Sequence, residues 1–310
     1  MFAPIQLTQI INRKNLQYTE VLKNISTKLK PGKYDLCFYI SVRNRLHFFE
    51  PFYAYFQEAR KKSKLKIKLV VIENDKTCTY SNAVQDKDVE FIYIPSDISK
   101  SGGNFAKSLC YNIGFIKNQT VPYHVFHDLD ILIDDIYFNQ IEYYINQGIT
   151  WLQPYSGKRV MRVGSNATEE IVKNPIKIKI LSGLKDMRPS NPGSPGGSIL
   201  VKRDDFIKIG GYDPELFYGY SPEDSFFWTK LEVLYGAKGV FDTHFQGKAV
   251  YADKPCMDVY HLDHPSAETS NPHLGGMVEV MMSFNIYSDS DRQSILELKK
   301  NKLMEGLNNG

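Results

Sequence analysis

Cysteine, long apolar runs and net charge are all in short supply in this chain, and each shortage removes a class of function. The 310 residues hold four cysteines, Cys37, Cys78, Cys110 and Cys256, far apart and without any Cys-x-x-Cys spacing. Neither a structural zinc site nor a disulfide framework is expected from them. Cys37 and Cys110 stand in apolar segments and read as buried thiols, so a reducing compartment fits best. No apolar run approaches the about 18 residues that suggest a membrane-spanning helix, and the N-terminus lacks a basic-then-apolar leader pattern. The expectation is a soluble, cytoplasmic chain. A net charge of +3 is small for this length and argues against a dedicated nucleic-acid binder. One basic run, Lys61, Lys62, Lys64, Lys66 and Lys68, reads as a solvated helix end and strand start. Its alternative is contact with an anionic acceptor or a membrane surface, which leaves peripheral membrane contact open.

What is present is a β-loop-α alternation. After a helical lead-in over residues 1–30, Tyr34–Ile40 is a β-rich apolar run. Leu69–Ile72, Phe91–Ile94 and Tyr123–Phe126 follow as further strands. Residues 46–62, with aromatics at helical spacing, and 104–117 read as helices between them. This pattern implies an α/β fold, a mostly parallel central sheet flanked by helices with right-handed crossovers. In such sheets ligands lie beyond the carboxyl ends of the strands. Arg43-Asn44-Arg45, Glu73-Asn74-Asp75 and Asp128-Leu129-Asp130 each follow a strand and should therefore converge on one edge. Residues 156–196 read as a long polar connection. A strand resumes at Gly196–Val201, and a helix opens at Glu223-Asp224, where acids suit the helix dipole.

Asp128 and Asp130 are two residues apart after an apolar strand, a spacing that in extended backbone puts both side chains on one side. Two close carboxylates call for a cation, and oxygen ligands suit Mg²⁺ or Mn²⁺ together with substrate phosphates. His261 and His264 flank Leu262-Asp263, and an imidazole there would complete a mixed site better suited to Mn²⁺. Packing or capping is the alternative for either histidine, as it is for Glu223 and Asp224. One of those two carboxylates could instead accept a proton from a hydroxyl. Phe217, Tyr218 and Tyr220 just before them could stack on a sugar ring or simply pack.

Several segments, in order over residues 35–265, resemble the β-1,4-galactosyltransferase family. They also resemble the catalytic domains of bacterial chondroitin polymerase and of polypeptide N-acetylgalactosaminyltransferases. Ser41-Val42-Arg43-Asn44-Arg45 is similar to the family's nucleotide loop, and Phe105–Phe115 to its Arg/Lys-to-Asn-x-Gly-Phe helix. Val125–Asp130 is similar to its metal-binding strand, and Gly196-Gly197-Ser198 through Gly210-Gly211-Tyr212 to its double-glycine block. Tyr218–Asp224 stands where the family has Trp-Gly-Trp-Gly-Gly-Glu-Asp. The resemblance implies a GT-A fold, Mn²⁺ (or Mg²⁺) and a UDP-sugar donor, with a saccharide or glycolipid as acceptor. It implies Asp130 and His261 at the metal, Asp224 as base of an inverting transfer, and Glu223 positioning the acceptor. Arg43, Asn44, Arg45, Asn74, Lys107, Asp128, Gly196, Gly197 and Tyr220 become donor-side candidates. Ser221-Pro222 replaces the family's glycine pair, and Tyr220 a tryptophan. Asp258 replaces its methionine ligand, so the remaining metal position is open between Asp258 and His264.

The expectation is thus one GT-A domain over residues 1–310. It has a nucleotide-binding half at 33–135, an acceptor and metal half at 136–265 and a C-terminal extension at 266–310. A nucleotidyltransferase would also use a parallel sheet and acidic metal ligands, but residues 41–47 lack the glycine-rich loop it wants. A sugar-nucleotide-binding module without catalysis would have no need of Asp128, Asp130, Glu223, Asp224 and His261 together.

Overall fold

The computed structural model describes residues 1–14, 16–99, 101–155, 160–175, 187–189, 196–235, 258–265 and 271–309, with the backbone of 244–245 and 248–249. Its strands are β1 (Ser26–Lys28), β2 (Leu36–Val42), β3 (Ile67–Asp75), β4 (Glu90–Pro95), β5 (Tyr123–Asp128), β6 (Ile131–Ile133) and β7 (Trp151–Leu152), then β8 (Val160–Val163), β9 (Met187–Pro189), β10 (Ser198–Lys202), β11 (His244–Phe245), β12 (Lys248–Ala249) and β13 (Val259–His261). The helices are α1 (Pro4–Lys14), α2 (Tyr18–Lys23), α3 (Phe49–Lys62), α4 (Ser81–Val84), α5 (Lys107–Lys117), α6 (Tyr137–Asn146), α7 (Ser165–Lys173), α8 (Arg203–Lys208), α9 (Glu223–Tyr235), α10 (Leu274–Ile286) and α11 (Asp289–Asn309).

The main sheet has the order β1-β4-β3-β2-β5-β10-β7. Its four central strands, β4, β3, β2 and β5, are parallel, as the alternation of strands and helices requires. All seven residues of β2 are buried, the mark of a parallel strand covered on both faces. Its side chains alternate between two cores. Phe38 and Ile40 join Phe52 and Phe56 of α3, while Cys37 and Tyr39 join Leu109 and Ile113 of α5. Burial of one such side chain contributes about 2 kcal/mol. Cys37 and Cys110 are free and buried; Cys256 lies outside the described residues.

Four expectations change. The lead-in contains α1 and α2 but ends in β1, which pairs antiparallel to β4. All three β1 side chains are exposed, so no apolar alternation announced the strand. The C-terminal extension is part of the core: Leu303 and Leu307 of α11 pack with Leu16 and Tyr18, and Ile295 and Leu296 with Leu7 and Ile11. Residues 160–173 are not irregular but form β8 and α7, the latter anchored by Ala167 and Ile171. Finally, Lys61, Lys62, Lys64 and Lys66 are exposed, as a solvated helix end and strand start should be, but the run does not extend to Lys68. Lys68 is buried, 3.0 Å from Glu90 and bonded to Asn118, because its strand is covered on both faces.

A second sheet, β6-β13-β8-β9, lies beside the carboxyl ends of the main one. The turn Leu129-Asp130 joins β5 of the first sheet to β6 of the second. The loop from Gly210 to Pro222 leads into α9 and is fixed from beneath by paired buried charges, as burial demands. Lys230 of α9 is 2.5 Å from Asp213, and Lys299 of α11 bonds Glu215.

Candidate active site

A cleft of about 1520 Å³ opens where the two sheets meet. The turns after β2 and β5 form one wall. Strands β8, β9 and β13 form the other, and the first turns of α9 and α10 close the side. Two clusters of charge sit in it.

The first is built around Asp130, which is buried. One carboxylate oxygen of Asp130 and one ring nitrogen each of His261 and His264 all lie within 4.8 Å of one another. His261 is the last residue of β13, and its register partner on β6 is Ile131, so strand pairing sets it beside the Asp130 turn. His264 Nε2 is 2.9 Å from Asp130. Arg45 donates one guanidinium nitrogen to Asp130, and the other lies 3.1 Å from His264 Nδ1. Burial alone would raise the Asp130 carboxyl, but His264, His261 and Arg45 hold it well below the usual range. Burial lowers His261. The hydrogen bond to Asp130 raises His264. One carboxylate and two imidazoles fit a divalent cation of borderline hardness and leave coordination positions for substrate oxygens. The guanidinium of Arg45 supplies the positive charge in this geometry.

The second cluster has the opposite balance. Lys107, the first residue of α5, reaches three carboxylates: Asp128 at 2.8 Å, Asp224 at 2.9 Å and Glu223 at 3.3 Å. Burial works against the Lys107 charge, but the three acids hold it well above its ordinary value. One cation cannot neutralise three anions. Burial, helped by Glu223 and Asp128 and opposed by Lys107, pushes Asp224 up to about 7. Glu223 is also fixed by Ser221, whose hydroxyl donates to it at 2.6 Å. A carboxyl poised near neutrality in a cleft wall can exchange a proton with a bound hydroxyl.

Spacing alone would put Asp128 and Asp130 on one side, sharing a cation, whereas the family resemblance implies Asp130 at the metal and Asp128 at the donor. The structure separates them. Leu129-Asp130 is a turn, not extended backbone, so Asp128 faces Lys107 while Asp130 faces the histidines. Asp258, the other candidate for the remaining metal position, is not among the Asp130 group or the residues that line the cleft. It precedes β13, three residues from His261, and in a strand an odd spacing sends side chains to opposite faces.

The donor-side candidates divide similarly. Arg45, Lys107, Asp128, Gly196, Gly197 and Tyr220 line the cleft. Arg43 also borders it, but its guanidinium is tied to the Asn74 backbone carbonyl at 2.6 Å, the Asn74 side chain at 3.0 Å and Gly103 at 2.9 Å. Asn74 is fully buried and bonds Ala106 as well, so it braces the loop rather than facing the cleft. Asn44 adopts φ 55°, a left-handed conformation that asparagine tolerates better than most residues. Gly196 lies against the base candidate: a Cβ there would lie 2.7 Å from Asp224 Oδ2 and force that carboxylate to shift. At Gly197, φ +93° strains any side chain, and a Cβ would lie 2.3 Å from the tip of Ile131. Of the three aromatics, Phe217 packs against Phe226 and Tyr218 is partly buried in the same cluster. Tyr220 is exposed at the cleft edge.

Sequence reading missed Arg162 and Arg188, both exposed and both in the cleft wall. They sit on short strands of the second sheet, in a stretch taken for a connection, and no local pattern marked them.

No protein-family model matches this chain, and no curated protein does. Solved structures similar to it include the catalytic domain of Drosophila β1,4-galactosyltransferase 7 in complex with xylobiose. That likeness is 16% identical, covers 63% of this chain and 59% of that one, and has a TM-score of 0.38. The mannosyltransferase PcManGT from Pyrobaculum calidifontis, in complex with GDP-Man and Mn²⁺, is 13% identical over 99% of this chain and 83% of that one, with a TM-score of 0.48. S. aureus TarS 1-349 is 12% identical over 89% and 71%, also with a TM-score of 0.48. This chain therefore spans 59% of the length of the Drosophila domain. Likenesses this distant transfer no residue role, donor or acceptor to this chain.

Proposed function

We propose that the chain is a metal-dependent glycosyltransferase of the GT-A type. It moves a hexose or N-acetylhexosamine from a UDP-sugar to a saccharide hydroxyl with inversion of configuration. The observation that carries this reading is the pairing, in one cleft, of a cation-ready Asp130–His261–His264 group with an Asp224 carboxyl raised to about 7.

Asp130, His261 and His264 would hold a divalent metal such as Mn²⁺. When bound, it supplies positive charge to the diphosphate that leaves. Asp224, as carboxylate, accepts the proton of the acceptor hydroxyl. The acceptor oxygen then bonds to the anomeric carbon as the bond to the diphosphate oxygen breaks, and UDP departs. Lys107 keeps Asp224 and Asp128 fixed, and Asp128 faces the donor. Glu223 positions the acceptor, and Tyr220 offers its ring to the acceptor sugar. An Asp224 placed to act as base favours inversion, because it activates an external hydroxyl.

Among the described residues, no helix is long and apolar enough to cross a membrane. Free buried Cys37 and Cys110 favour a reducing, cytoplasmic setting. Val278 of α10 lines the cleft, and Met282 and Ile286 continue its exposed apolar face. That continuity favours an acceptor carried on lipid at a membrane surface. Co-sedimentation with vesicles tests it, and no loss of binding in Met282→Ser/Ile286→Ser would remove it.

The deciding experiment is a panel of UDP-sugars assayed for Mn²⁺-dependent UDP release, with Asp130→Ala and Asp224→Asn as controls. Both variants should lose turnover; unchanged turnover in both ends the reading.

A further inference from the structure

The second sheet places three basic side chains in one row. His261 of β13 is the register partner of Arg162 on β8, and Arg162 is the register partner of Arg188 on β9. Residues directly opposite one another across paired strands point to the same face. All three line the cleft, so the row faces its interior beside the Asp130 group.

Like charges directly opposite on paired strands are destabilising. Among the described residues, no ion pair or hydrogen bond is found for either guanidinium. The other two arginines in the wall are already committed, Arg43 to Asn74 and Gly103, and Arg45 to Asp130 and His264. Lys107 is held by its three acids. One acid of the same wall, Asp263, lies two residues beyond His261, and its backbone N–H is bound to Thr168. Among the described residues, Arg162 and Arg188 are thus two cations facing a wide cleft with no ion-paired anion. Guanidinium groups match phosphate oxygens bidentately, which makes phosphate the ligand chemistry that fits.

We infer that Arg162 and Arg188 form a phosphate-binding subsite in the cleft, one strand beyond His261. This rests on the glycosyl-transfer reading for the identity of its phosphate, which comes from the donor's diphosphate or from a phosphate group on the acceptor. In either case the sheet aligns the ligand's charge along the pair Arg162–Arg188, beside His261.

Calorimetric titration of the full chain with Mn²⁺ tests this, with UDP, pyrophosphate, glycerol phosphate and uridine as probes. Arg162→Gln and Arg188→Gln are exposed substitutions that relieve like-charge repulsion, so the melting temperature should hold or rise. Each should weaken pyrophosphate binding about tenfold, as expected for one lost charge-assisted contact, while uridine binding stays constant. A parallel loss for UDP assigns the subsite to the donor. UDP affinity retained, with glycerol phosphate binding to the UDP-loaded protein lost, assigns it to the acceptor. If both variants bind every phosphate probe as the parent does, the subsite is wrong, whatever the UDP result. If the parent binds pyrophosphate but not UDP and the variants lose pyrophosphate, the subsite stands and the glycosyl-transfer reading falls. A parent that binds none of the phosphate probes overturns both.

Discussion

The two ends of the cleft are built from the same kinds of side chain in inverse proportion. At the Asp130 end, one carboxylate faces two imidazoles and a guanidinium, and its pKa is driven down. At the Asp224 end, one lysine faces three carboxylates, and one of these is driven up to about 7. Burial favours the neutral acid at both ends. The count of neighbouring charges therefore decides the outcome: three basic groups outweigh burial at Asp130, and one lysine does not at Asp224. A permanently ionised carboxylate suits a cation, whereas one near neutrality suits proton transfer. The contrast supports the proposed roles of the two acids better than the motif in which either occurs.

The largest effect expected is that of Asp224→Asn. Loss of the base should lower kcat by about 10²- to 10⁴-fold, measured as sugar transfer from UDP-sugar. The same substitution relieves repulsion with Glu223 and Asp128, so the melting temperature at pH 8 should hold or rise. A drop in both would break the contrast by making Asp224 merely structural. Lys107→Met comes next. It leaves three acids without their cation and should cost about 3–5 kcal/mol in denaturant unfolding, as for a broken buried pair. It should also move the activity profile to higher pH, since the one positive charge opposing the upward shift of Asp224 is gone.

The pH profile of the parent is the third test. Asp224 must be ionised to act as base, and its folded pKa is raised from 3.8 to about 7. Turnover should rise about tenfold per pH unit below 7 and level above it. For stability the sign is opposite: the favourable protonated form is fully present below about pH 4 and lost as pH rises through about 7. A profile flat from pH 5 to 8 would count against the raised carboxyl.

At the other end, His261→Ala should weaken Mn²⁺ binding by tenfold or more, read by calorimetry without donor. Asp258→Ala should leave it unchanged. Equal losses would reinstate Asp258 as a ligand. The smallest effect is expected at Tyr220→Ala, a rise in acceptor KM of less than about tenfold with kcat nearly constant, since an exposed ring offers stacking alone.

Much of this was legible beforehand because it is local. Apolar runs flanked by polar tripeptides specified β2, β3, β4 and β5, and an α/β alternation then forced Arg43, Asn74 and Asp128 to one sheet edge. Asp130 and His261 were readable as partners. The division of Asp128 from Asp130 was implied by the family resemblance but not by their spacing, because it depends on a turn replacing extended backbone. Nor was the placement of His264 rather than Asp258 beside Asp130 readable, since it needs the folded neighbourhood of His261. Arg162 and Arg188 were invisible because β8 and β9 are short and their meaning comes from register with each other.

The sequence by itself determined the α/β class, the edge on which chemistry would gather and the residue types available there, since these follow from periodicity and chain order. Only the tertiary structure decided which charge meets which. Lys107, Asp128 and Asp224 are brought together from α5, β5 and α9, and Arg45, Asp130 and His264 from three other places in the chain. The electrostatic balance that separates a cation-binding acid from a proton-accepting one arises from such long-range neighbours and falls off with distance, so it appears only when the chain is folded.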